Sequence, residues 1–299
     1  MASKEERRAA IQNSIVRTTA RRKVLDKAFT VGTIVAILVA FVPLGSILYE
    51  VIKNGVAALS LEFLTQPQGS FIRGGGGIGP AIQGTVLVVA YTSAIGIPVG
   101  VLTGVYLSEY ASGSKFARAV RFFNNVMTGL PSIVLGIVGY VILVVPFGAF
   151  NITAGAVALS IIMIPIVVGV TEETLKLVPN SVREAAHSLG IPKWKVTLFI
   201  TLKSAKNGVI TGIVLAISRV AGETAPLIMT ILGTNLFFQG GTGPVDALPL
   251  RIWRLATQPY DYAHLFGWGA ALVLILMILT LSIGLRFVVL ERTVRLRRT

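Results

Sequence analysis

The sequence predicts an all-α polytopic membrane protein with six transmembrane helices, and three observations predict it. Of the 299 residues, 54% are hydrophobic and 13% charged, about half the charge of an average soluble domain. Uncharged stretches recur at the length of ~20 mostly apolar residues that a helix needs to cross a bilayer. The 27 basic residues, against 13 acidic ones for a net charge of +14, gather beside alternate ends of those stretches. This composition excludes a disordered chain and argues against an ordinary globular enzyme. Cysteine is absent and histidine is limited to His187 and His264. Disulfides, thiolate metal sites, iron–sulfur clusters and cysteine nucleophiles are therefore excluded, and no metal or cofactor is expected.

Taken in order, residues 1–27 form a basic tail and residues 28–51 the first span, whose core (28–49) carries no charge. That span is too long and uncut for a signal peptide, and no small-residue cleavage site follows it. An external loop, 52–84, ends in a glycine-rich run, Gly74 to Gly77 with Gly79 and Pro80. The run lacks the Gly-Lys-Ser/Thr ending of a phosphate loop, so it reads as a flexible or closely packed entry to the second span, 85–107. No Walker A sequence occurs anywhere. Residues 122–171 hold no charge over 50 positions and divide into two helices at the turn formers Val145 to Asn151. An inner loop, 172–206, precedes a fifth span over about 208–232, interrupted by Arg219 and Glu223. An outer loop, 233–264, leads to the last span, 265–285, and a basic tail occupies 291–299.

Twenty-two of the 27 basic residues fall in the two tails and the inner loops, four (Lys53, Arg73, Arg251, Arg254) in the outer loops, and Arg219 within a span. The bias predicts a multi-pass protein of the cell (plasma or inner) membrane with both termini cytoplasmic. Because every inner loop shares it, the positive charge belongs to the lipid membrane and no nucleic acid is expected. Small residues four apart, Gly96/Gly100/Gly104 and Gly208/Gly212, predict closely packed helices. Prolines 98, 131, 146, 165 and 226 read as kinks that neighbours or water can satisfy.

Two features exceed what a bundle needs. The stretch Pro179 to Pro192 reads as a short helix with Ser181 as cap, Glu184 completing a capping box, Gly190 in the left-handed position after it and Pro192 beyond. Val182, Ala185, Ala186 and Leu189 share one narrow apolar face. A helix of about eight residues is marginal alone, so this face docks either on the same chain or on another protein. The second feature is Arg219-Val-Ala-Gly-Glu223-Thr-Ala-Pro226, since ionisable groups at membrane depth cost roughly 2.5–3.5 kcal/mol each. Arg219 and Glu223, four apart, can pair on one face with Ser218 and Thr224 nearby. They are either a self-neutralising pair or a substrate pathway in which the arginine fork takes an oxyanion. Gly222 would allow close approach, and Pro226 would free the Gly222 carbonyl. No nucleophile or metal cluster stands near Glu223, so no catalytic residue is expected. An ion channel or intramembrane enzyme, the rival classes, would not need a docking helix.

Arg183-Glu-Ala-Ala186 with Gly190 and Lys193-Trp194 resembles the EAA loop of ABC importer permeases. Gly77 to Thr85, Leu107-Ser-Glu-Tyr-Ala111, Leu130-Pro-Ser-Ile-Val134, Thr171-Glu-Glu173 and above all Arg219 to Leu227 are similar to phosphate importer permeases of the PstA type. The resemblance implies the type I ABC importer permease fold, with residues 85–290 as its core. It also implies a cytoplasmic coupling helix (Ser181, Arg183, Glu184, Ala185, Ala186, Leu189, Gly190) seated on an ATPase, and no enzymatic activity of the chain's own. The implied partners are a PstC-like permease, two PstB-like ATPases and an external PstS-like phosphate-binding protein, with inorganic phosphate as substrate. Another oxyanion or small solute is the alternative. Lys203 stands where such permeases usually carry a proline. In the outer loop, Arg251, Trp253 and Arg254 are candidates for contacting the binding protein or for anchoring at the membrane interface.

Overall fold

The computed structural model describes residues 4–70, 74–111, 113–241 and 243–295. Arg73, Arg297 and Arg298 lie outside the described residues, as do the side chains of residues 1–21 and 288–295. The chain divides into two compact units, residues 1–53 and 54–299. The first belongs to one continuous helix, α1 (Lys4–Gly55), of 52 residues. The segment predicted as a tail is thus helical and runs straight into the first span. Phe29, Ile34, Leu38 and Phe41 on α1 are exposed, as an apolar span surrounded by lipid requires.

The second unit opens with α2 (Leu61–Thr65) and a two-stranded antiparallel hairpin, β1 (Gln68–Ser70) with β2 (Gly74–Gly76). An all-helical reading has no such element. The glycine run permits it: a Cβ on Gly76 would come within 2.3 Å of the Gly69 nitrogen, and one on Gly77 within 2.1 Å of the Phe63 carbonyl. Of the two readings of this run, close packing is the one observed.

Next comes α3 (Gly79–Val105), which starts six residues before the predicted span because Pro80 fits a first helical turn. It continues through a π-helical turn, Tyr106–Tyr110. The third span is α4 (Lys115–Gly129) followed by α5 (Ser132–Gly139), a π-helical turn and α6 (Val145–Phe147), with a bend of 105° at Leu130-Pro131. Gly148, at φ +67°, and Asn151, whose side chain accepts from the Ala154 N–H at 2.8 Å, turn the chain into α7 (Ile152–Lys176).

The remaining helices are α8 (Asn180–Ser188), α9 (Lys193–Lys195), α10 (Leu202–Ala221), α11 (Ala225–Thr230), α12 (Leu248–Ala256) and α13 (Asp261–Arg295). α9 joins α10 through a π-helical turn, Val196–Thr201, so the fifth span starts at Lys193, inside the predicted loop. It passes unbroken through Lys203 and stops at Ala221 rather than near 232. Among the described residues, five helices are long and apolar enough to cross a membrane, and six if the bent pair is one span.

Small residues set the packing. A Cβ on Gly96, Gly100 or Gly104 would come within 2.6–2.9 Å of Met163, Val167 or Thr171. The matching four-residue steps show α3 and α7 running parallel in close contact. Gly208 and Gly212 press on Thr174 and Val170 in the same way, so α10 runs antiparallel to α7. Between them lies the main core, with Leu159, Met163, Val167, Ala216 and Val220 buried.

Candidate functional site

Halfway along the bundle, the break between α4 and α5, the break between α10 and α11 and the middle of α7 line a cavity of about 260 Å³. Its walls include Thr128, Pro131, Ser132, Ile162, Ile166, Arg219 and Glu223. Ile162 and Ile166 lie roughly 15 to 20 Å from the ends of α7 at 1.5 Å rise per residue. Both helix breaks follow from sequence. Pro131 disfavours helical geometry at Leu130 and then begins α5, while Pro226 in the first turn of α11 has no N–H to continue α10. Pro226 therefore starts a new helix instead of kinking an old one.

Arg219 occupies the last turn of α10, where the helix dipole favours a cation. Its Nε lies 3.8 Å from Glu223 Oε1, beyond hydrogen-bonding distance. The Arg219 side chain is 56% exposed and that of Glu223 17%, so the guanidinium keeps its donors open toward the cavity. The predicted companions are placed elsewhere. Ser218 donates to the Val214 carbonyl at 2.8 Å and meets Ser282 of α13 at 3.1 Å. Thr224 caps α11 through its backbone only, its carbonyl accepting from Leu227 and Ile228 N–H groups at 3.1 Å. Among the described residues, a Cβ on Gly222 would meet only the Arg219 carbonyl at 3.7 Å, so none of them exploits the closeness predicted there.

At the Lys176 end of α7, α8 forms the predicted short helix with a different start. It begins at Asn180 after Pro179, and no side chain caps it. Ser181 lies inside the first turn, because Pro179 fixes the entry angle two residues earlier, and the expected capping box with Glu184 is not made. Gly190 adopts the left-handed conformation at φ +74°. Ala186 is buried, whereas Val182, Glu184, Ala185 and Leu189 are exposed, Leu189 by 80%. Most of the apolar face is thus left uncovered by the described residues.

What anchors α8 is Arg183. Its Nη2 and Nε donate to the two oxygens of Glu109 at 2.8 and 3.2 Å. Further bonds reach the Leu175 and Val178 carbonyls at 2.8 and 2.5 Å and Asn180 Oδ1 at 3.2 Å. Nearby, Glu172 is shared by Arg121 at 2.8 Å and Lys176 at 2.6 Å. Glu109, Arg121 and Glu172 are absent from the predicted site. Two of them stand in the quoted Leu107 to Ala111 and Thr171 to Glu173 motifs, which was the available signal.

A mid-bundle cavity at helix breaks, together with an exposed short helix clasped to the bundle end, can be set against known proteins. The model for binding-protein-dependent transport system inner membrane components matches residues 96–296. The chain belongs to that family. As a family member it resembles the phosphate transport system permease protein PstA of Yersinia pestis, 39% identical over 81% of this chain and 82% of the relative. The PstA of Pasteurella multocida is also 39% identical, over 89% and 94%, and a probable PstA of Methanocaldococcus jannaschii is 35% identical over 89% and 94%. In structure, this transport component is similar to the inward-facing MetNI methionine ABC transporter, with TM-score 0.54 and 19% identity over 73% of this chain and 93% of that chain. A bacterial ABC transporter for alginate gives TM-score 0.55 and 14% identity over 70% and 77%. These likenesses identify the fold as that of an ABC importer permease. The family model's match includes the cavity and α8 but not α1.

At the Gly79 end, the transport component departs from expectation. Arg251 is only 2% exposed. Its Nε donates to Asp246 Oδ2 at 2.6 Å, and its other nitrogens to Asn235 Oδ1 at 2.8 Å and the Thr234 carbonyl at 2.9 Å. It therefore cannot face an external partner. Arg254 donates to the Leu232 carbonyl, and Trp253 remains half exposed. Burial pushes the Asp246 carboxyl above its ordinary range, and the Arg251 charge partly offsets this. The Gly77 to Thr85 motif holds the same loop. Phe238 N–H donates to Gln83 Oε1 at 2.8 Å, Leu248 N–H to Thr85 Oγ1 at 2.7 Å, and Gly84 leaves room for the Asp246 carbonyl. Among the described residues no cluster of side chains suits a metal ion.

Proposed function

We propose that this chain is the permease subunit through which an ATP-driven importer passes inorganic phosphate into the cell. The observation that carries the reading is Arg219, held mid-bundle beside Glu223 without a hydrogen bond to it. An arginine fork makes bidentate charge-assisted bonds to a tetrahedral oxyanion. Glu223 keeps the empty site neutral and yields when phosphate competes. Ser132 and the uncapped start of α5 turn a hydroxyl and a positive helix end to the same cavity, a common use of broken helices in transporters. The relatives named as PstA support phosphate as the substrate.

The assembly in this reading pairs the chain with a PstC-like permease, two PstB-like ATPases and an external PstS-like binding protein. Both termini are cytoplasmic, on the strength of the basic-residue bias. The exposed face of α8, with Val182, Ala185 and Leu189 around Ala186, enters the ATPase, whose closure on ATP reorients the spans for alternating access. The chain itself hydrolyses nothing.

The test is Arg219→Gln in the complete complex, reconstituted in liposomes with the binding protein. Loss of a charge-assisted contact worth about 1.5–3 kcal/mol corresponds to a fall of roughly ten- to hundredfold in phosphate uptake, with assembly unchanged. Wild-type uptake by this variant would refute the role of Arg219.

A further inference from the structure

The attachment of α8 is unusual for its size. The helix has nine residues, about 14 Å, and only Ala186 on it is buried. Apolar packing therefore does little to fix it. Five hydrogen bonds from one guanidinium do, and two of them end on Glu109. Both partners are shielded, with side chains 17% and 6% exposed. Tyr110, the next residue, lies under the Lys193 ammonium at 5.0 Å, so the end of α3 grips both the docking helix itself and the chain just after it.

α3 connects this grip to the rest of the machinery. It is locked along α7 by the Gly96, Gly100 and Gly104 contacts. Its far end holds the loop after α11 through Gln83 and Thr85. That loop leads directly back to α11 and the Glu223 break. A displacement of α8 can thus reach the cavity along one rigid pair of helices, provided α8 cannot swivel on its short connections.

We infer that Glu109 is a positioning residue for energy coupling: through Arg183 it makes α8 and the α3–α7 pair move as one body, so that ATPase closure reaches the substrate cavity. This rests on the reading of α8 as the ATPase-docking helix. The two are separable, because Glu109 supports the transmission and not the docked surface. Glu109→Gln keeps the shape and removes the charge, and Glu109→Asp keeps the charge at shorter reach.

The experiment measures co-purifying ATPase, binding-protein-stimulated ATP hydrolysis and phosphate uptake in the reconstituted complex. Glu109→Gln is expected to keep ATPase association and at least half of the hydrolysis while uptake falls fivefold or more, so that ATP consumed per phosphate rises. Glu109→Asp, with the charge kept at shorter reach, should raise the ratio less, to between the wild-type value and that of Glu109→Gln. A wild-type ratio in Glu109→Gln, whether both rates are normal or fall together, would overturn the inference. If Glu109→Gln fails to assemble, the ratio in Glu109→Asp decides: raised supports it, unchanged overturns it. Ala186→Asp is the control for docking: unaltered ATPase association in that variant refutes the docking reading and leaves the Glu109 ratio to be judged separately.

Discussion

Two arginine–carboxylate pairs in this molecule are built in opposite ways. Arg183 and Glu109 meet at 2.8 Å through two parallel bonds, with both side chains shielded and backbone carbonyls taking the spare donors. Arg219 and Glu223 stand 3.8 Å apart with the arginine more than half exposed. The first has the geometry of a joint that must not open. The second has that of a pair that can part when a third charge arrives. Arg251 and Asp246 extend the series toward rigidity, being only 2% and 0% exposed. The permease places its fixed pairs at the two ends of the bundle and its loose pair in the wall of the mid-bundle cavity.

Substitutions can break or sharpen this contrast. The largest effect is expected for Arg251→Met, which leaves the Asp246 carboxylate buried without its partner and should cost about 3–5 kcal/mol. Thermal unfolding in detergent reads the loss. Arg251→Met with Asp246→Leu should recover most of it, since a buried pair exchanged for apolar groups is often neutral. Next is Gly212→Val at the α10–α7 contact, where even a Cβ would come within 2.1 Å of Val170 Cγ1. Overpacking of this kind costs about 1–3 kcal/mol, with uptake falling in parallel as the helices separate.

A smaller effect follows from Asp246. Its folded-state carboxyl lies above the unfolded value, so the folded form holds the proton more tightly. Stability from this group is full below the unfolded value and is lost as pH rises through the folded one. The wild type should therefore lose stability across that window relative to Asp246→Asn, measured as unfolding temperature against pH. Smallest is Glu223→Gln, for which the loose geometry predicts a stability change under ~1 kcal/mol by the same unfolding assay. A loss as large as that for Arg251→Met would place Glu223 among the fixed pairs.

The loose pair was legible in the sequence because its members are four residues apart in an apolar stretch, where any charge stands out. The fixed pairs were not, because Glu109 and Arg183 are 74 residues apart and Arg121 and Glu172 are 51 apart, and each residue alone looks like an ordinary loop charge. The glycine contacts were foreseen because a four-residue repeat defines a helix face. The start of α8 was misplaced by two residues, since Pro179 initiates a helix as effectively as a capping hydroxyl. Arg251 was misread as a surface group because spacing shows that a residue belongs to a helix without showing what covers it.

Because the chain contains no cysteine, Ser132→Cys places a single thiol of this subunit in the wall of the cavity with Arg219 and Glu223. In a complex whose other subunits are also cysteine-free, the rate of its modification by a negatively charged thiol reagent reports directly on that space. Phosphate supplied with the binding protein and ATP should slow the reaction severalfold, and Arg219→Gln should abolish the protection. Equal rates with and without phosphate in the Ser132→Cys complex would contradict the claim that the loose arginine receives the substrate.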